Sequence, residues 1–223
     1  MQFTYHINSG EQNLKIDGDL HKYLFKIRRE KASKELFFRN LVDNNIYRYK
    51  VVSINKKETL LSLIDFEETI ITSSKYLHIG WCLIDTKNIE KIIASLNEIG
   101  VSKITFIKCS YSQSKYKINY DKLQRLLQNS SSQCGRSDII KLDSCDSLDK
   151  FLQLYPQSYM FNFSSNHIKN FSDDIETIVI GCEGGFSEDE VAKFDKNKIV
   201  GCGCNTILKS ETAVLTASSV VLV

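Results

Sequence analysis

From Tyr76 onward, short apolar segments alternate with segments of helical periodicity, and this alternation constrains the possible folds of the chain more than any other feature. The predicted strands are 76–84, 103–108, 139–142, 159–163, 176–180 and 198–200. The predicted helices are 86–99, 120–128, 147–154, 187–194 and 210–222. Strands that alternate with helices indicate an α/β domain with a mostly parallel sheet, here over residues 76–223.

Residues 1–66 follow a different pattern, with short strands and one helical segment. Phe3–Ile7 alternates, apolar runs on either side of residues 43–45 predict a hairpin, and residues 59–64 predict a third strand. Asp17 or Asp19 is expected to cap a helix. That helix would present on one face Leu20, Tyr23, Leu24 and Ile27. The pattern predicts a small β-barrel domain, followed by a connector over residues 67–75.

Basic residues are concentrated in two stretches of a chain whose net charge is only +2. Residues 15–57 contain 12 Lys and Arg against 5 Asp and Glu, and residues 103–141 contain 8 against 2. This distribution is typical of proteins that bind polyanions, although charge alone favours the simpler interpretation of a solvated lysine-rich surface. No apolar run reaches the roughly 18–20 residues that span a bilayer. The first residues lack the features of a secretory signal, so we expect a soluble cytoplasmic protein with no membrane partner.

The seven cysteines are scattered, odd in number and without a CxxC pair. Such an arrangement favours a reducing compartment. Cys202 and Cys204 could suggest a metal site, but no second pair and no nearby histidine supports one. We therefore interpret them as buried or incidental thiols and expect no metal.

Two segments near the C-terminus combine a strand end, a loop and a helix start. In residues 178–190, an apolar strand ends in a glycine-rich turn, and Ser187 with Glu190 forms a capping-box pattern. Ligands of open α/β sheets bind at the carboxyl ends of strands, where glycines allow close backbone approach. Taken by itself, this segment is explained equally well by a turn that only precedes a capped helix and binds no ligand. In residues 200–213, Ser210 and Glu211 open the last helix, which plain capping also explains.

Together, these two segments resemble the Gly-Pro-Glu-Gly-Gly-Phe and Leu-Arg-x-Glu-Thr-Ala motifs of the 16S rRNA (uracil-N3)-methyltransferase family. Residues 129–136 are similar to that family's Ala-x-Gln-x-Gly-Arg stretch, and residues 21–29 to its N-terminal helix. Cys182 stands in place of the family's proline, and Lys209 in place of its arginine, which keeps the charge but loses the planar donor. The family's Ser-Glu-Arg-Ser stretch is changed at residues 109–112.

The resemblance implies a PUA-like β-barrel at 1–68 and a trefoil-knotted SPOUT domain at 76–223. It implies S-adenosylmethionine as the cofactor and N3 of a uridine in the decoding-region helix of 16S rRNA as the methyl acceptor, with free rRNA or the small ribosomal subunit as partner. It also implies a homodimer, and the largely apolar last helix agrees with one. The residues placed at the cofactor are Gly181, Glu183, Gly184, Gly185, Gly203, Ile207, Leu208 and Ala213.

Methyl transfer to uridine N3 requires removal of a proton and stabilisation of the developing anion. Lys209 and Arg136 are the candidate cations, and Glu211 is a candidate base, although helix capping also accounts for it. Contacts with RNA phosphates are expected from Lys26, Arg28, Arg29, Arg48 and Lys50, with the neighbouring Tyr47 and Tyr49 as possible stacking residues. Two alternatives stay open: a related enzyme that methylates a ribose 2′-hydroxyl, and an RNA-binding module without catalytic activity.

Overall fold

The computed structural model describes residues 2–30, 35–112 and 117–223. The chain divides into two compact units. One comprises residues 1–72 together with 131–138, and the other comprises residues 73–130 together with 139–223. Lys31, Lys34 and Lys115 of the two basic stretches lie outside the described residues.

The N-terminal unit is built on a five-stranded sheet of order β1-β3-β4-β5-β2. Its strands are β1 (Thr4–Tyr5), β2 (Asn13–Asp17), β3 (Leu36–Arg39), β4 (Asn45–Ile54) and β5 (Glu58–Glu68). All pairs are antiparallel except β1 with β3. The predicted hairpin and third strand are confirmed. β2 was missed, although Leu14 and Ile16 alternate there with exposed polar residues and are buried.

The helical segment of this unit differs from the prediction. A short helix α1 (Gly18–His21) continues as a π-helix over Lys22–Ile27, and the Asp17 side chain makes no capping hydrogen bond. Leu24 is buried, but Tyr23 and Ile27 are exposed. The predicted single apolar face is therefore wrong, because the wider π turn rotates successive side chains away from the 3.6-residue period.

The C-terminal unit carries the predicted alternation of strands and helices. Its strands are β6 (His78–Cys82), β7 (Lys103–Ile107), β8 (Lys141–Cys145), β9 (Tyr159–Phe161), β10 (Thr177–Ile180) and β11 (Ile199–Val200). The helices are α2 (Thr86–Ile99), α3 (Tyr120–Cys134), α4 (Leu148–Leu154), α5 (Glu188–Val191) and α6 (Ser210–Leu222). The last residues of α3 belong to the segment grouped with the N-terminal unit.

The six strands form one sheet of order β11-β9-β10-β6-β7-β8, and every pair is parallel. The expected α/β class is confirmed. All five residues of β6 are buried. A parallel strand covered on both faces reads as a continuous apolar run, which is why this segment shows no alternation in the sequence.

The predicted bounds of α2 are confirmed, whereas α3 continues to Cys134, beyond the predicted 120–128, and α5 is shorter than predicted. Asp85 caps α2 through the Lys87 N–H, and Gly100 ends that helix with a φ of 111°. α5 is much shorter than the predicted 187–194, because Lys193 N–H donates to the Glu190 carbonyl and Phe194 N–H to the Val191 carbonyl. These i to i−3 bonds tighten the chain out of the α-helix.

A disulfide joins Cys82 to Cys109, with Cα atoms 5.7 Å apart. The cysteine positions in the sequence did not indicate this pair. β6 and β7 are neighbours in the sheet, and Cys82 lies opposite Ile107, two residues before Cys109. This proximity depends on strand order and is invisible in the scattered sequence positions. In the described part of the chain, no helix is both long enough and apolar enough to cross a membrane.

Candidate functional site

A cavity of about 540 Å³ opens at the carboxyl ends of β9, β10 and β11 in the C-terminal unit. These three strands are neighbours in the sheet, so the loops that follow them meet at one edge. The start of α6 closes the cavity. The lining residues are 161–164, 180–186, 201–204, 206–208, Ser210 and Ala213. This is the edge at which open parallel sheets bind ligands.

The glycine-rich turn after β10 forms one wall. Gly185 has a φ of 71° and its N–H donates to the Cys182 carbonyl at 2.9 Å, which closes the turn. A Cβ at Gly181 would lie 3.1 Å from the Phe186 ring. Burial raises the pKa of the Cys182 thiol, so this cysteine is a poor nucleophile. The wall therefore offers backbone groups rather than reactive side chains.

The predicted capping box is present at the start of α5. The Ser187 hydroxyl accepts the Glu190 N–H, and the Glu190 carboxylate accepts the Ser187 N–H at 2.9 Å. The other oxygen of the buried Glu190 accepts the Ser110 N–H at 2.8 Å. Glu190 thus joins the turn at 109–112 to the glycine-rich segment, a connection that the capping pattern alone does not indicate.

The loops after β9 and β11 are interwoven. Asn162 N–H donates to the Val200 carbonyl at 2.9 Å, and Gly201 N–H donates to the Asn166 carbonyl at 2.8 Å. A Cβ at Gly201 would lie 2.9 Å from the Asn162 carbonyl oxygen and 3.0 Å from that of Ser164. Only glycine fits between these backbones, and such a close crossing of loops suits the knotted arrangement that the sequence resemblance implies.

The second wall of the cavity contains Gly203 and the residues before α6. Gly203 has a φ of 65°, and a Cβ there would lie 3.1 Å from the His167 ring. Ile207 is 83% exposed and Leu208 is half-buried. Hydrogen bonds from Thr206 lower the pKa of the exposed Cys204 thiol. The described residues contain no group of three or more His, Cys, Asp or Glu side chains able to hold a metal ion.

All eight residues assigned to the cofactor from the sequence line this cavity. They are Gly181, Glu183, Gly184, Gly185, Gly203, Ile207, Leu208 and Ala213. Their role toward a cofactor stays a prediction. The sequence-based prediction missed the loop 161–164, including Phe163, which is 75% exposed. The sequence does show that residues 161–164 lie at the end of a strand of the parallel sheet, where ligands often bind. Only the strand order of the folded chain, however, places this loop beside β10.

The three candidate catalytic residues have different surroundings. Lys209 is exposed, between the lining residues Leu208 and Ser210, but does not itself line the cavity. Glu211 also lies outside the lining, and its Oε2 is buried without a hydrogen-bond partner in the described part of the chain. Arg136 belongs to the N-terminal unit, is buried, and donates from Nε to Asp138 at 2.5 Å.

The candidate RNA-contacting residues all lie in the N-terminal unit and are at least partly exposed. Arg28 lies 3.8 Å from a Glu30 carboxylate oxygen. Arg48 pairs with both Asp65 and Glu35, and its bond to Asp65 is the main cause that raises the pKa of its guanidinium. Lys26 and Lys50 are exposed.

The expectation that Tyr47 and Tyr49 stack on bases is wrong. Both rings are buried in the core of the N-terminal unit. The Tyr47 hydroxyl donates to Asp43 at 2.8 Å, and the Tyr49 hydroxyl donates to the Glu11 carbonyl at 2.8 Å. Side chains alternate between the two faces of a strand, so Arg48 lies on the opposite face of β4 from Tyr47 and Tyr49. Arg48 is therefore partly exposed while the two tyrosines are buried.

Comparisons with known proteins agree on one class. Residues 72–222 match the family described as RNA methyltransferase domain. The chain is 35% identical over 223 residues to the ribosomal RNA small subunit methyltransferase E of Helicobacter pylori strain J99, with 99% of each protein covered. The corresponding protein of strain 26695 matches equally, at 35% identity and 99% coverage of each.

Solved structures with the same fold include two with a bound cofactor. A putative methyltransferase of Legionella pneumophila in complex with SAM has a TM-score of 0.79 at 20% identity, with 99% of this chain and 95% of that chain covered. Ribosomal RNA small subunit methyltransferase E of Neisseria gonorrhoeae, bound to S-adenosyl methionine, has a TM-score of 0.77 at 14% identity, with 98% and 95% covered.

Proposed function

This chain belongs to the RNA methyltransferase family that includes ribosomal RNA small subunit methyltransferase E, and on that premise we propose that it transfers a methyl group from S-adenosylmethionine to a uridine N3 of 16S rRNA. The acceptor uridine is assigned to the decoding-region helix, and the reaction to the cytoplasm. The observation that carries the proposal is the cavity at the ends of β9, β10 and β11, lined by all eight residues that the family resemblance selects.

The cavity suits this cofactor in size and chemistry. Its volume of about 540 Å³ falls within the range of roughly 300–1,000 Å³ typical of small-molecule sites. Glycines at 181, 184, 185, 201 and 203 leave backbone groups accessible. The Phe161, Phe163 and Leu208 side chains supply apolar surface for the adenine base of the cofactor. The Glu183 carboxylate is exposed at the cavity wall, where it suits a positively charged group of the cofactor.

When bound, S-adenosylmethionine supplies a methyl group that is already activated by the sulfonium. The protein must therefore align the uracil with the methyl group and remove the N3 proton. We assign the Lys209 ammonium to stabilise the negative charge that develops on the base, because it is exposed beside the cavity wall. Glu211 is the candidate proton acceptor. Arg136 is the second candidate cation, although it already donates to Asp138.

RNA binding and subunit pairing complete the proposal. The exposed basic side chains at 26, 28, 29 and 50, together with the partly exposed Arg48, are assigned to phosphates of the rRNA or the small ribosomal subunit. A homodimer is assigned to α6, whose Val214, Ala217 and Val221 are buried while Leu215 and Val220 stay partly exposed. Val221 faces the core of its own subunit, so the partly exposed Val220 is the interface residue to test.

The decisive experiment is nucleoside analysis of 16S rRNA from cells with and without this gene. We expect 3-methyluridine to disappear without the gene and to be restored by the purified protein with S-adenosylmethionine. A lost ribose 2′-O-methyl group would identify the alternative methyl acceptor. Unchanged nucleosides, together with retained RNA binding, would identify a module without catalytic activity.

A further inference from the structure

We propose that Ser210 is a positioning residue, whose hydroxyl holds the glycine-rich turn and the start of α6 in the geometry that binds the cofactor. The proposal rests on the proposed function, because the bound group is S-adenosylmethionine. Ser210 lines the cavity and is buried. It carries two hydrogen bonds that reach two other parts of the C-terminal unit.

Trp81 is the first partner. Its indole is fully buried on β6, and Trp81 lies opposite Ile180, the last residue of β10. The indole Nε1–H donates to the Ser210 Oγ at 2.9 Å, across a sequence separation of 129 residues. Trp81 is the only tryptophan of the chain. The start of α6 is thus bonded to a central strand of the sheet.

The carbonyl of Gly181 is the second partner. It lies at the first position of the glycine-rich turn and accepts a hydrogen bond from the Ser210 hydroxyl at 2.5 Å. The direction of both bonds is determined by chemistry. An indole nitrogen can only donate, so the Ser210 oxygen accepts from Trp81, and its single proton goes to the Gly181 carbonyl.

These bonds orient one peptide of the cofactor wall. The Gly181 carbonyl and the Cys182 N–H belong to the same planar peptide, so a bond to the carbonyl determines where that N–H points. Gly181 itself packs closely, with a virtual Cβ only 3.1 Å from the Phe186 ring. Without the hydroxyl, a buried indole donor and a carbonyl at the cavity would both lose their partner, and the turn would have to rearrange to satisfy them.

Ser218 provides a matched control on the same helix. It is also a buried serine, but its Oγ has no hydrogen-bond partner in the described part of the chain. Ser210→Ala and Ser218→Ala delete the same atom from α6. A general effect of removing a buried hydroxyl from this helix would appear in both variants, whereas a positioning effect would appear only in the first.

The test measures cofactor affinity by calorimetry, methyl transfer to small-subunit rRNA, and Trp81 fluorescence. For Ser210→Ala we expect the Kd and the KM for S-adenosylmethionine to rise about tenfold, while kcat at saturating cofactor stays within about twofold. The emission maximum of Trp81 should shift to shorter wavelength, because the indole loses its acceptor. Ser218→Ala should resemble the wild type in all three measurements.

Trp81→Phe gives an independent variant that leaves the Ser210 hydroxyl in place. We expect a smaller rise in Kd than for Ser210→Ala, and no further rise when both substitutions are combined, because the two residues act through one connection. The wild type itself should change its Trp81 emission saturably when the cofactor is added.

The outcomes separate the two proposals. If the wild type binds no S-adenosylmethionine, the proposed function fails and the positioning role fails with it. If the wild type binds but Ser210→Ala binds equally well, or if Ser218→Ala loses the same affinity, only the positioning role is overturned. Additive effects of Ser210→Ala and Trp81→Phe would also overturn it.

Discussion

The buried carboxylate of Glu190 accepts the Ser110 N–H at 2.8 Å, and so joins the turn after β7 to the capping box of α5. The two residues are 80 positions apart in the chain. Ser187 N–H donates to the other carboxylate oxygen, so the Glu190 side chain is hydrogen-bonded to two separate segments of the chain. The 109–112 turn, which departs from the related family's sequence, is therefore held by the capping box that follows the glycine-rich turn.

Glu190→Gln should destabilise this connection. One acceptor oxygen becomes an NH2 group that faces a backbone N–H, and the loss of a charge-assisted bond at a buried site costs about 1–3 kcal/mol. Urea unfolding measures the free energy difference. Glu188→Gln, at an exposed position of the same short helix, is the control and should change little. Equal stabilities of the two variants would contradict the prediction.

Gly184→Val should abolish S-adenosylmethionine binding without unfolding the protein. A Cβ at this position would lie 3.0 Å from the Tyr111 Cβ, so even the first carbon displaces the 109–112 turn or the glycine-rich turn. The two further methyl groups would enter the space where backbone is expected to approach the ligand. Calorimetry tests binding, and circular dichroism tests the fold. Affinity like that of the wild type would remove Gly184 from the proposed site.

Reversing Arg28 and Arg29 to Glu should weaken RNA binding and flatten its salt dependence. Each phosphate contact contributes roughly 0.7–0.9 to the slope of log K against log salt concentration, so losing two contacts should lower the slope by about 1.4–1.8. Cofactor affinity should not change. Lys87 and Lys91, exposed on α2, give a control with the same charge change when both are reversed. An equal loss of slope in the control would place the RNA surface elsewhere.

Val220→Asp should convert the proposed homodimer into a folded monomer. Val220 is partly exposed on α6, and a charge there would be buried twice in a twofold interface. Light scattering at micromolar concentration measures the mass, and the wild type should exceed 25.6 kDa. Val221→Asp is expected to unfold the subunit instead, because Val221 is buried in its own core. A wild-type monomer with full activity would rule out the dimer.

His78 should make the protein less stable in acid. Burial is the main cause that lowers its pKa from 6.5 to about 4, with nearby Lys103 acting in the same direction. Between pH 4 and pH 6.5 the His78 ring is protonated in the unfolded chain but stays neutral in the folded protein. The stabilising contribution is therefore complete above pH 6.5 and is lost as the pH falls through 4, a total of about 3 kcal/mol.

Urea unfolding from pH 7.5 down to 4 measures this dependence. His78→Gln removes the titrating group, so its stability should fall less steeply than that of the wild type over the same interval. Parallel profiles would show that His78 does not titrate as the structure indicates. The Thr105 hydroxyl, 2.8 Å from His78 Nε2, is a suitable partner for the neutral ring.

Short-range patterns in the amino-acid sequence determine much of this protein. Asp85 and Gly100 bound α2 because a cap and a left-handed C-terminal residue act within one turn of the helix. The Ser187–Glu190 capping box has the same short range. The alternation of strands and helices predicted the parallel α/β class, and the paired C-terminal motifs selected eight residues that line one cavity.

Other features depend on which strands are neighbours, and only the folded chain contains that information. The order β11-β9-β10 brings the loop at 161–164 to the cavity, and the pairing of β6 with β7 brings Cys82 to Cys109. The bond from Trp81 to Ser210 spans 129 residues. Periodicity reports the environment of a side chain within its own helix or strand, but it carries no record of the partner across the sheet. Tertiary packing therefore decided which carbonyl, hydroxyl and indole meet at the site.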